Sequence, residues 1–235
     1  MSISENIARV QEQIKAAASR AGRNPEDITL MAVTKTVPPE RIRDAYHAGL
    51  RIFGENRVQE FVGKREALRD LTEAQWHMIG HLQSNKAASA VESFDTIDSV
   101  DSVRLARKLN AAAQDVGKIV PVLIEINIGG EPAKAGVEPG SEELQELISA
   151  APEFSSLKFQ GLMTVPPYAN DPERSRPHFR QMYDLSRKVD TMKLPGIGME
   201  VLSMGMSHDF AVAIEEGSTC VRVGTAIFGE RPPAK

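Results

Sequence analysis

Cysteine is almost missing from this chain: Cys220 is the only one among 235 residues. That excludes an internal disulfide and any zinc site built on cysteine pairs, and no metal site is expected. Lysine and arginine never gather into a dense run, and the net charge of -4 gives no reason to expect a nucleic-acid partner. Aromatic residues make up 5% of the chain, with Trp76 the single tryptophan, so no platform for stacking bases is in view. No apolar run approaches the ~20 residues of a membrane-spanning helix. The first segment is polar and amphipathic and has no apolar signal core. No membrane partner is expected, and the single cysteine fits the reducing cytoplasm.

What remains is ordinary globular material, 41% hydrophobic and 26% charged, long enough for one large core across residues 1–235. Its most telling stretch is DITLMAVTKT, residues 27–36. This reads as a short buried strand that ends on Lys35, and Pro38-Pro39 forces the chain to turn straight after it. A lysine at the mouth of a core is partly desolvated, which lowers its pKa and leaves a free amine as nucleophile. That is the chemistry of a Schiff-base lysine. The same position also suits a lysine that merely snorkels to solvent.

Apolar residues Ile3, Ile7, Val10, Ile14 and Ala18 recur at helical spacing, so residues 3–21 should form an amphipathic helix that stops at Gly22. After the lysine strand, further short apolar runs begin at Leu50, Trp76, Phe94, Ile119, Phe159, Glu200 and Cys220. Helical stripes separate them, among them Val58, Phe61, Val62 and Leu68, a segment capped by Ser141, a long helix opening at Asp171-Pro172, and a short one capped by Ser207. Runs that are apolar throughout, rather than alternating, fit strands buried on both faces of a parallel sheet. Eight such strands, each but the last followed by a helix, predict an α/β fold, a closed (β/α)8 TIM barrel. The tail after Thr225 is too short for a full covering helix, so the N-terminal helix is expected to take that place in the outer ring.

Function in such a barrel sits at the C-terminal ends of the strands. Those ends carry Lys35, Asn56, His81, Asn127, Met163-Thr164, Ser203 to Ser207, and Arg222 to Thr225. Ser207, ahead of a helix, offers a hydroxyl and backbone N–H groups to an anion. Gly224 permits close backbone approach and Thr225 adds a donor, at strand ends where barrels often hold phosphate. Taken together these residues point to a phosphate pocket. Arg222 should face inward; it either donates to a ligand such as a pyridine nitrogen or pairs with a barrel carboxylate such as Glu125.

Seven segments carry a family resemblance: AVTKT (32–36), FGENRVQE (53–60), WHMIGHLQSNK (76–86), KAG (134–136), GLM (161–163), LSMGMS (202–207) and VRVGTAIFG (221–229). In this order they resemble the YggS/PROSC family of pyridoxal phosphate homeostasis proteins. The resemblance implies a barrel like the N-terminal domain of alanine racemase, with pyridoxal 5'-phosphate held as a Schiff base on Lys35. It implies phosphate contacts from Ser207, Gly224 and Thr225, a pyridine contact from Arg222, ring or pocket contacts from Asn56 and Met204, and a part for Ser203. The family role is to bind, buffer and deliver the cofactor, with apo forms of cofactor-dependent enzymes as partners, no catalytic residue and no turnover. A role for Lys134 stays open, His81 is assigned none, and Met163 and Trp76 read as core or pocket wall. The alternative is an amino-acid racemase, which needs a proton shuttle on each face of the substrate. Racemases of this fold take the second one, a tyrosine, from an added domain of a partner subunit. That domain is not expected here, which favours a monomer and leaves Tyr168, after the sixth strand, as the tyrosine able to reach the mouth.

Overall fold

The apolar runs become strands in the expected order. The computed structural model describes residues 1–230. Its strands are β1 (Thr29–Val33), β2 (Ile52–Glu55), β3 (Gln75–Met78), β4 (Thr96–Val100), β5 (Val120–Ile126), β6 (Leu157–Thr164), β7 (Ile197–Met206) and β8 (Cys220–Val223). Each pairs in parallel with the next. Leu30 opposite Val221 and Ala32 opposite Val223 bring β8 back to β1 and close the barrel.

The helices are α1 (Ile3–Arg20), α2 (Pro39–His47), α3 (Val58–Arg65), α4 (Ala87–Ser93), α5 (Val103–Asp115), α6 (Glu142–Ala150), α7 (Arg176–Thr191), α8 (Phe210–Glu215) and α9 (Thr225–Phe228). Local chemistry sets several starts. Ser2 and Glu5 form a reciprocal capping box on α1, and Ser102 and Ser141 accept backbone N–H groups at the starts of α5 and α6. α1 lies over the β1–β8 seam as expected: Ile7 and Val10 share one apolar cluster with Ile28, Ala32, Val221 and Val223. Burial of side chains such as Ile7 and Val10 contributes about 1.5–3 kcal/mol apiece. Asn6 Nδ2 also donates to Ile227 O at 2.9 Å, and Arg23 reaches the carbonyls of Ile214 and Ser218.

Four expectations need correction. β8 is followed by a helix after all, the single turn α9; residues 231–235 lie outside the described residues. Asp171 caps a 3-10 turn over Pro172–Ser175, and α7 proper starts at Arg176. Val62 is 49% exposed, because α3 turns that side to solvent. Ser207 does not cap α8: Asp209 occupies that position.

Alternation along the strands sorts the core. Ile97, Val122, Ile124, Leu162, Leu202, Met204, Val221 and Val223 belong to the two clusters between strands and helices. Trp76 packs against that layer too, stacked on Phe53 at 5.1 Å. Their neighbours Asp98, Leu123, Glu125, Met163, Ser203, Cys220 and Arg222 therefore face the barrel interior, which is unusually polar for a buried space. Deep within it, His77 Nδ1 meets Asp98 Oδ1 at 3.1 Å. Burial opposes charge on His77, but the charge of Asp98 and the hydrogen bond to it push the pKa up. Burial, reinforced by Asp98, pushes the Cys220 thiol to about 12, so it is chemically quiet.

Candidate functional site

Lys35 stands just past the end of β1, half-buried, on a tight turn in which Val37 N donates to Thr34 O at 3.0 Å. The turn needs Thr36 at φ 60°, a left-handed conformation that costs a β-branched residue about 1–3 kcal/mol. Its surroundings hold it there. Thr36 N donates to Glu60 Oε1 at 2.5 Å, and Lys64 Nζ donates to Thr34 O at 3.0 Å. The same ammonium reaches Glu55 Oε1 at 2.7 Å and Glu60 Oε1 at 2.9 Å, while Thr34 Oγ1 donates to Glu55 Oε1 at 2.6 Å. Glu55 is fully buried; burial pushes its pKa up, against the pull of Lys64. α3 thus clamps the turn that carries the lysine.

Lys35 opens onto a cavity of about 460 Å³ at the C-terminal ends of the strands. That volume suits a small cofactor. Asn56 forms part of its wall, and Gly80 lets the next strand exit come close: a Cβ there would stand 2.3 Å from Asn56 O. On the far side are Ser207, Gly224 and Thr225. The Ser207 hydroxyl accepts the backbone N–H groups of Gly224 at 3.2 Å and of Ala226 at 3.3 Å. The Ser207 hydroxyl thereby ties the β7 exit to the β8 exit. The hydroxyls of Ser207 and Thr225 and the backbone of Gly224 sit together at one end of the cavity, the chemistry an oxyanion calls for.

Arg222 lines the same cavity at 3% exposure. Its guanidinium donates to Ser203 Oγ and to Thr164 O, each at 2.6 Å. It makes no ion pair with Glu125 among the described residues, so that alternative falls away. Glu125 also lines the cavity. Burial first, then the charge of Asp101, raise its carboxyl to about 7, and Arg222 offsets only part of this.

The comparisons with known proteins agree on what this arrangement is similar to. Residues 6–232 match the model of the alanine racemase N-terminal domain. The pyridoxal phosphate homeostasis protein of Aquifex aeolicus (strain VF5) is 47% identical over 231 residues, covering 98% of this chain and 99% of that protein. The chain belongs to the pyridoxal phosphate homeostasis protein family. The Escherichia coli (strain K12) member is 43% identical over 99% of this chain and 98% of its own length. Among solved structures, PipY of Synechococcus elongatus PCC7942, with PLP bound, aligns with a TM-score of 0.85 at 36% identity, over 97% of this chain and 100% of its own. An alanine racemase from Clostridium difficile 630 shares the fold at 19% identity and a TM-score of 0.74, but this chain covers only 57% of it.

Not every residue expected at a family site reaches the cavity here. The Met204 side chain is fully buried and belongs to the cluster outside the barrel, so the expected pocket contact is corrected: Met206 lines the wall instead. Met204 follows the alternation of Leu202, and Gly205, whose φ of 93° breaks that alternation, turns Met206 to the wall. Ser203 does not line the cavity; its hydroxyl accepts from Arg222, which does. Asn127 is tied to the loop after β5, donating to Glu131 O at 2.9 Å, and Lys134 donates to Pro166 O at 3.1 Å. His81 is exposed and pairs with Asp101 at 3.0 Å. Tyr46 and Tyr183 ride on the outer helices α2 and α7. Tyr168 does line the mouth, 76% exposed, its ring 5.8 Å from that of His208. Sequence reasoning gave no ligand role to several wall residues, among them His208 and Glu125. His208 lies in a loop with no motif of its own. Glu125 carried a signal, a lone carboxylate in the apolar run IVPVLIEINI.

Proposed function

We propose that this protein holds pyridoxal 5'-phosphate covalently at Lys35 and serves cofactor homeostasis in the cytoplasm, storing the cofactor and handing it to apo-enzymes. The observation that carries this reading is the convergence on one cavity of a half-buried amine, a buried guanidinium and a cluster of backbone and hydroxyl donors. When bound, the cofactor supplies an aldehyde carbon that condenses with primary amines and a ring that can act as an electron sink. The rest falls to the chain's own residues. Lys35 is the attacking amine. Ser207, Gly224 and Thr225 hold the phosphate, and Asn56 forms the adjoining wall.

Arg222 would meet the ring nitrogen with donors only, since a guanidinium has no acceptor lone pair. It would thereby keep that nitrogen unprotonated, which would weaken the electron sink and disfavour turnover. Ser203 and Thr164 fix the guanidinium from behind, and Met204 packs behind β7. Tyr168 is the residue a racemase reading would need as its second proton shuttle. Steady turnover of L-alanine by the purified protein would favour that reading.

The test is direct. Protein supplied with pyridoxal 5'-phosphate should be yellow, and borohydride should leave a reduced adduct on the peptide carrying Lys35. Lys35→Ala should abolish the visible band. A Lys35 peptide recovered wholly unmodified would overturn the proposal. For delivery, an apo-enzyme should regain activity from the loaded protein beyond what equal free cofactor restores.

A further inference from the structure

One wall group has no task in the reading above. Glu125 faces the interior from β5, between Ile124 and Ile126 of the outer cluster. It is 9% exposed, and its Oε2 is buried with no hydrogen-bond partner. A buried carboxyl oxygen is normally paired, because desolvation without a partner is costly. An orphan of this kind on a cavity wall marks a place where a ligand completes the bonding.

The charges around it set its state. Asp101 beyond β4 pushes its pKa up and Arg222 on β8 pulls it down, with burial the largest influence, leaving it at about 7. Asp98, on the adjoining β4, is turned to His77. Lys35, His81, His208 and Tyr168 line the same cavity. On the loop that packs over β5, Glu131 and Lys134 pair with each other at 2.5 Å. Glu125 thus sits near the midpoint between neutral acid and carboxylate under ordinary conditions. The two forms treat an anionic ligand in opposite ways. The acid donates a hydrogen bond from its orphaned oxygen; the carboxylate can only accept, and repels a phosphate sharing its low-dielectric cavity.

We propose that Glu125 is a ligand-binding residue that works as the neutral acid, donating to an acceptor on a phosphorylated pyridine, and that its ionisation loosens the site. This rests on the cofactor reading above.

The probe is 4'-deoxypyridoxine 5'-phosphate, which keeps ring, ring hydroxyl and phosphate but has no aldehyde, so Lys35 cannot bond to it. Its Kd is measured from about pH 6 to about pH 9 for the wild type and for Glu125→Gln, whose amide keeps a donor and never ionises. Ionisations of the phosphate, Lys35 and the histidines are common to both proteins and cancel in the ratio. The two should agree within about twofold at pH 6, and the variant should bind on the order of tenfold more tightly by pH 8.5. A ratio that stays flat across the range overturns the role of Glu125 alone. Failure of both proteins to bind the probe and pyridoxal 5'-phosphate overturns the cofactor reading and this proposal together. An infrared difference spectrum of the wild type needs no variant. Probe binding at pH 8 should add a protonated-carboxyl band that moves on ¹³C-glutamate labelling, and its absence counts against the proposal.

Discussion

At the scale of single residues, buried charge is what makes this molecule respond to its surroundings. The folded-state pKa of Glu125, about 7, lies above its ordinary value of 4.5. The folded chain therefore holds that proton more tightly than the unfolded one. Stability from this group is fully present below pH 4.5, falls as pH rises through about 7, and is flat beyond. The whole swing is at most roughly 3 kcal/mol. Urea unfolding of the ligand-free protein should show the wild type losing stability relative to Glu125→Gln between pH 5 and pH 8 by up to roughly that much. Equal slopes in the two proteins would mean the carboxyl is already ionised at the lower pH. Lys35 and Arg222 could be read from the sequence because each is a charge at the end of an apolar run. The left-handed Thr36 could not, since threonine is no marker for that conformation. Nor could the partners of Ser207, which lie on a different strand exit.

At the scale of elements, the turn that carries Lys35 owes its shape to α3 and β2. Lys64 bridges Thr34, Glu55 and Glu60, with its side chain 11% exposed and that of Glu55 at 0%. Lys64→Met would leave Glu55 buried without its counter-charge, at a cost of about 3–5 kcal/mol. Equilibrium unfolding measures that loss, and the adduct yield at Lys35 should fall with it if the turn relaxes. A loss below about 1 kcal/mol would show the network to be as weak as a surface pair. Elements were legible where the pattern is strong: β8 falls where its run of Cys220 to Val223 predicts. They were less so where polar residues join a strand. β7 runs from Ile197 to Met206, beginning three residues before the expected start at Glu200, because Gly198 and the exposed Glu200 interrupt the apolar pattern at its opening. Met204 was placed at the wall by the family resemblance alone; simple alternation with the inward-facing Ser203 turns it to the outer cluster with Leu202.

At the scale of the whole molecule, eight apolar runs separated by helical stripes were enough to predict a closed barrel, and α1 lies where it was expected, over the β1–β8 seam. Which side chains meet above the barrel was not legible, since that depends on loops from distant strands. The seam is the point to test. Val10 is fully buried under α1, in the cluster that holds β1 and β8 together. Val10→Asp should lower unfolding stability by about 3 kcal/mol or more, whereas Gln11→Asp, on the exposed side of the same helix, should change it by no more than about 0.5 kcal/mol. Similar losses in both would mean that α1 contributes through its charge pattern and not through the seam.

Closure of the barrel by its first and last strands also governs when the site comes into being. The amine on Lys35 leaves the ribosome well before the groups around Gly224; at ~5–20 residues per second the interval is on the order of ten seconds or more. A nascent chain therefore lacks the assembled cavity until β8 and its exit have emerged, however early its lysine does.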